Sequence, residues 1–103
     1  MWVISRAALI EFCKRHPNAK SSLYCWYSII KVNKYCSFDD LKKTFRCADQ
    51  VTMYGKQKQK VTVFNIGGNK YRLVVAIHYN TQKVFIRHVL THSEYDNETW
   101  KRK

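Results

Sequence analysis

From Val61 to Leu90 the chain consists of three β-branched and aromatic runs, Val61–Ile66, Lys70–Tyr79 and Lys83–Leu90. They are punctuated by Gly67-Gly68 and by Asn80-Thr81. Such runs predict strands, and a glycine pair that can take positive φ twice predicts a hairpin turn. Three consecutive strands joined by short turns predict an antiparallel meander. Because side chains alternate along a strand, the turns also decide which residues share a face. A two-residue turn at Gly67-Gly68 sets Asn65 opposite Lys70 and Val63 opposite Arg72. Asn65, Lys70 and Arg72 then share one face, with Phe64, Ile66, Tyr71 and Leu73 on the other. A turn at Asn80-Thr81 sets Val74 opposite Arg87, which joins Arg87 to the basic face. The same register puts Val84, Ile86 and Leu90 on the core side. His88 falls there too and is expected to be a core histidine, whereas His78 lies on the polar face near the strand end.

The first half reads differently. Met1 to Ile4 is a short apolar run suited to a strand, and Ser5 fits the N-cap of a helix from Arg6 to Arg15. Leu9, Phe12, Cys13 and His16 form one stripe of that helix. Pro17 ends it and suits the first turn of a second helix carrying Ala19, Leu23, Trp26, Tyr27 and Ile30 at core spacing. Ser37 to Asp40 is a second cap signal, opening a short helix with Phe38, Leu41 and Phe45 inward. Val51 to Tyr54 suits a strand, and Gly55 to Lys60 is a polar basic loop. Thr91-His92-Ser93-Glu94 is a capping-box pattern that ends the last strand and starts a short C-terminal helix. The expected fold is therefore α+β. It is a single domain over residues 1–103, with an N-terminal strand and two to three helices packed on one face of an antiparallel sheet.

Charge narrows the function. Nineteen Lys and Arg against seven Asp and Glu give a formal net charge of +12 in 103 residues. A folded domain that basic repels itself, and an anionic partner is the natural explanation, nucleic acid first. A membrane surface fits less well, because no segment is a basic amphipathic helix with a long apolar face, and no stretch is long enough to span a bilayer. The start shows no signal-peptide pattern, so a cytoplasmic location is expected. Cys13, Cys25, Cys36 and Cys47 form no CxxC pair, which leaves a zinc site unsupported. They are expected to be reduced and mostly buried thiols.

One sheet face thus collects Asn65, Lys70, Arg72 and Arg87. The strand beside them delivers His92, then Tyr95 and Asp96 three and four residues later, which are neighbours on a helical turn. Two readings of these residues stay open: a site, or a solvated basic face beside an ordinary helix cap.

The motifs carry a resemblance. The stretch from Val63 to Val74 (VFNIGGNKYRLV) is similar to the signature of HigB-type toxins in the RelE/HigB superfamily. So are Phe85-Ile86-Arg87, the segment Thr91 to Asp96, the opening Met1 to Leu9, and the Trp26-Tyr27 helix. The similarity runs in order from the first residue to Asp96. It implies a RelE-like fold and a type II toxin that cleaves translated mRNA on the ribosome, without metal or other cofactor. It also implies a HigA-like helix-turn-helix antitoxin, in a complex that can bind operator DNA. Inside the matching motifs it points to Asn65, Arg72, Arg87, His92 and Tyr95, with Lys70 at a variable position.

Arg72 and Arg87 suit charge stabilisation on phosphoryl oxygens. His92 suits a general acid or base. Tyr95 suits stacking on a base, proton donation or a phosphate hydrogen bond. Lys56, Lys58, Lys60, Lys101, Arg102 and Lys103 are the expected contacts to RNA backbone, ribosomal RNA included. The alternative is a non-catalytic RNA- or ribosome-binding domain. Against it, no RRM-type aromatic run is present and the hairpin register turns Phe64 and Tyr71 inward.

Overall fold

Valine, isoleucine and aromatic residues dominate the stretch after Lys60, and there the chain forms a sheet. In a computed structural model that describes residues 1–53, 59–68, 70–97 and 100, the order is β1 (Trp2–Ile4), α1 (Arg6–Arg15), a 3₁₀ turn (Pro17–Ala19), α2 (Lys20–Val32) and α3 (Phe38–Thr44). Strands β2 (Asp49–Thr52), β3 (Lys60–Ile66), β4 (Tyr71–His78) and β5 (Lys83–Thr91) follow, then α4 (His92–Asn97). The sheet has five strands in the order β1-β5-β4-β3-β2. The meander is antiparallel as the turn spacing predicts, and β1 adds a parallel edge by pairing with β5.

The helices cover one sheet face. Leu9, Phe12, Leu23, Trp26, Ile30 and Leu41 pack against Phe64, Ile66, Tyr71, Leu73 and Val75. A second, smaller cluster lies around Met53, Val61, Val63, Val74 and Trp100, with Leu90 and Tyr95 at its margin. Burial from both sides explains why Leu73, Val74, Val75 and Ala76 form an unbroken apolar run, where a half-exposed strand would alternate. The Ser37 side chain caps α3 by accepting from the Asp40 N–H at 3.2 Å, as its sequence pattern predicts. Among the described residues no helix is long and apolar enough to cross a membrane.

Several expectations are corrected. Ser5 does precede α1, but it sits at φ 72° and its side chain makes no capping bond. Lys60 belongs to β3 and is not part of the loop before it. The Gly67-Gly68 turn is two residues longer than expected. Both glycines take positive φ, 61° and 71°, but Lys70 stays in the turn and Asn65 pairs with Arg72, Val63 with Val74. A shift of two residues leaves the paired side chains of β3 and β4 on their predicted faces, while Lys70 drops out of the strand.

The next hairpin departs by one residue. Val75 pairs with Ile86 on the expected register, but Val74 pairs with His88, and Arg87 is left as the extra residue of a β-bulge. Beyond the bulge every side chain of β5 changes face. His88 and Leu90 therefore lie on the face of Val74 and Arg72, not in the helix-side core, and Val89 takes the core position instead. The thiols also differ from expectation: Cys25, Cys36 and Cys47 are exposed and Cys13 is half-buried, all four unbonded.

Candidate functional site

Strand β4 presents Arg72 on the face away from the large helices, beside its partner Asn65, which is exposed. Arg72 as a whole is half-buried. One guanidinium nitrogen donates to the Tyr71 carbonyl at 3.2 Å, and the guanidinium carbon lies 5.5 Å from the centroid of the Tyr95 ring. The cation is thereby held against an aromatic face while its remaining donors stay available.

Tyr95 comes from α4, and the sequence shows why that turn forms where it does. Thr91 Oγ1 accepts from the Glu94 N–H at 3.3 Å, and Glu94 Oε1 accepts from the Thr91 N–H at 3.0 Å, a reciprocal capping box. The His92 N–H donates to the Lys70 carbonyl at 3.0 Å, tying the helix start to the β3–β4 turn. His92 Nδ1 lies 3.6 Å from Asp96 Oδ2, and both side chains are open to solvent. The i, i+4 spacing that predicted this pair therefore holds.

Trp100 closes the floor. It is 4% exposed, its ring stacks on Tyr95 with centroids 5.2 Å apart and planes 21° apart, and its Nε1 donates to the Tyr95 carbonyl at 2.9 Å. The His88 ring meets the Trp100 ring at 6.1 Å. Reasoning from sequence missed both. Simple alternation puts His88 on the helix side, because nothing in the local sequence marks the bulge that moves it to the other face. Trp100 is an isolated aromatic in a charged tail, and that isolation was the only available signal.

Five predicted residues, Asn65, Lys70, Arg72, His92 and Tyr95, thus gather around the β3–β4 turn and α4. Arg87 is exposed at the bulge of the neighbouring strand, and Lys60 is exposed at the start of β3. Lys56, Lys58, Lys101, Arg102 and Lys103 lie outside the described residues. Among the described residues no three or more His, Cys, Asp or Glu side chains gather as a metal-binding group. The arrangement offers guanidinium and amide donors from β4 and β3, and an imidazole beside a carboxylate and a phenol from α4. That inventory suits a phosphodiester better than a small apolar ligand.

Comparison with known proteins agrees. Residues 19–98 match the family described as HigB toxin, the RelE-like toxic component of a toxin–antitoxin system. The chain is 33% identical over 96 residues to the mRNA interferase toxin HigB of Escherichia coli K12, covering 93% of this chain and 88% of that one. An mRNA interferase HigB from Shigella flexneri matches to the same extent. An mRNA interferase HigB from Escherichia coli O6:H1 is 28% identical over 99 residues, 96% of this chain and 92% of its own. The chain belongs to the HigB toxin family.

Proposed function

We propose that this chain is an endoribonuclease that cuts mRNA on the translating ribosome and so arrests protein synthesis. The observation that carries the reading is the Arg72 guanidinium seated over Tyr95, a residue of the same short helix as His92, in a domain of net charge +12. Relatives named mRNA interferase support it.

RNA carries its own nucleophile. The 2′-oxygen gives up its proton and bonds to the adjacent phosphorus. The bond from phosphorus to the 5′-oxygen breaks, the leaving oxygen takes a proton, and a 2′,3′-cyclic phosphate remains. The protein has to orient the attack, move two protons and offset charge on the phosphoryl oxygens. Arg72 and Arg87 bind those oxygens. His92, with its Nδ1 turned to Asp96, moves a proton through its other nitrogen. Tyr95 hydrogen-bonds the phosphate or protonates the leaving oxygen. No step needs a metal.

Lys56, Lys58, Lys60 and the Lys101-Arg102-Lys103 tail supply the charge that holds ribosomal RNA, Asn65 and Lys70 line the mRNA path, and the protein works in the cytoplasm. A helix-turn-helix antitoxin of the HigA type holds it inactive, in a complex that binds operator DNA.

The test is to incubate the purified chain with a defined mRNA, with and without translating ribosomes and with a chelator present, and to map the ends by primer extension. Cuts that need translation and survive chelation are expected. Binding to ribosomes with no cut would favour a non-catalytic RNA-binding domain.

A further inference from the structure

We propose that Trp100 is a positioning residue: it sets the Tyr95 ring, and through that ring the orientation of Arg72. The proposal rests on the function proposed above. It concerns a residue two positions beyond the stretch, 19–98, that matches the family.

Helix α4 has six residues and none of them is buried. A helix that short does not hold its shape alone. The capping box at Thr91 and Glu94 fixes where it begins, and the placement of its far end depends on tertiary contacts. Tyr95 lies on that far part. What seats it is Trp100, which grips it twice: the indole stacks on the phenol ring, and Nε1–H donates to the Tyr95 carbonyl at 2.9 Å. A stack alone would allow the ring to slide, and a hydrogen bond alone would allow it to turn. Together they fix both the backbone and the plane of Tyr95.

Trp100 is itself anchored. It is buried with Val61 and Val63 of β3, Val74 of β4 and Met53 just beyond β2, and side chains held on strands are placed more precisely than those on loops. Rigidity therefore passes from the sheet to Trp100, from Trp100 to Tyr95, and from Tyr95 to the Arg72 guanidinium 5.5 Å from its centroid. Arg72 sits on β4, but a long side chain on a strand has many rotamers. The aromatic face selects among them before substrate arrives, and such preorganisation raises turnover more than binding.

The experiment compares Trp100→Leu, which keeps an apolar seal but removes the flat ring and the N–H, with Trp100→Phe, which keeps the ring alone. Each is made in the wild type and in a Tyr95→Ala background. Cleavage of mRNA on ribosomes is followed to obtain kcat and KM. In parallel, NMR follows the Arg72 side-chain resonances, which the Tyr95 ring current displaces. Trp100→Leu is expected to lower kcat by about tenfold or more with KM little changed, and to relax the Arg72 resonances towards unshifted values. Trp100→Phe is expected to restore most of both. In the Tyr95→Ala background Trp100→Leu should cost nothing further, because residues that act through one another are not additive. An equal loss in both backgrounds, or Arg72 resonances unmoved by Trp100→Leu, would reduce Trp100 to a core residue and overturn the proposal. A wild-type chain that cuts no mRNA would overturn the function above and this proposal with it.

Discussion

Arg72 and Tyr95 belong to different elements, β4 and α4, yet the guanidinium of one lies over the ring of the other at 5.5 Å. This contact joins the sheet to the C-terminal helix and seats a cation on the ring of Tyr95, in the helix that also carries His92. Arg72→Ala is expected to slow mRNA cleavage by about a hundredfold, the usual loss when one preorganised charge-stabilising group is removed. Arg72→Lys should recover little, since an ammonium lacks the planar fork. Single-turnover cleavage measures this, with a thermal melt as the folding control. Full activity in a folded Arg72→Ala protein would remove Arg72 from the chemistry.

Arg87, exposed at the bulge, and His88, half-buried next to it, separate an effect on cleavage from an effect on stability. Arg87 is exposed, so Arg87→Ala should change stability by no more than about 0.5 kcal/mol while reducing cleavage. His88 is half-buried against Trp100, so His88→Ala should destabilise by about 1 kcal/mol and lower cleavage less than Arg72→Ala does. Denaturant melts combined with cleavage rates distinguish the two. A destabilised Arg87→Ala protein with normal cleavage would reverse the assignment.

Exposure of Cys25, Cys36 and Cys47 has a direct chemical readout. In the native protein these three should react promptly with a maleimide. Cys13 should lag, because burial on α1 raises its pKa and leaves less thiolate, with Lys20 opposing that shift only in part. The lag should shrink as pH rises through the range where Cys13 ionises. Mass spectrometry of timed samples gives the order, and a uniform rate for all four would contradict the burial of Cys13.

Gly67 tests the turn. A Cβ there would meet Tyr71 Cδ2 at 3.5 Å and Ser22 Oγ at 3.7 Å, ordinary contacts, so the cost of Gly67→Ala is that of holding alanine at φ 61°. That cost is about 1–2 kcal/mol, and it should appear as a lower melting temperature. An unchanged melting temperature would mean the turn tolerates another conformation.

Much of this was legible because it is written in local periodicities. The stripe of Leu23, Trp26 and Ile30, the Ser37 cap, the Thr91–Glu94 box and the alternation on β3 and β4 each depend on neighbours within a few residues. The bulge does not. Where a strand takes an extra residue is decided by twist and packing across the sheet, and Ile86-Arg87-His88 carries no turn residue to signal it. The length of the Gly67 turn was hidden because a shift of two preserves the faces. The site was half legible for the same reason. Arg72, Tyr95 and His92 follow from pattern, while His88 and Trp100 needed the fold. The thiols were misread because cysteine is usually buried, a statistical habit that α2 and the segments flanking α3 do not follow.

The parallel pairing of β1 with β5 bears on the order in which the protein can be made. Trp2 is matched to Lys83 and Ile4 to Phe85, so the first strand has no partner until residues 83–85 have been made. Contacts between such distant segments form late, after the entropy of closing the long loop has been met. The helix bearing His92 and Tyr95 follows the strand that β1 awaits, and Trp100 follows that helix. A nascent chain that has not yet reached β5 therefore has its first three helices and the β3–β4 hairpin but not the candidate surface. The ribosome must pass β5, α4 and Trp100 before the candidate surface proposed to cut its message can assemble.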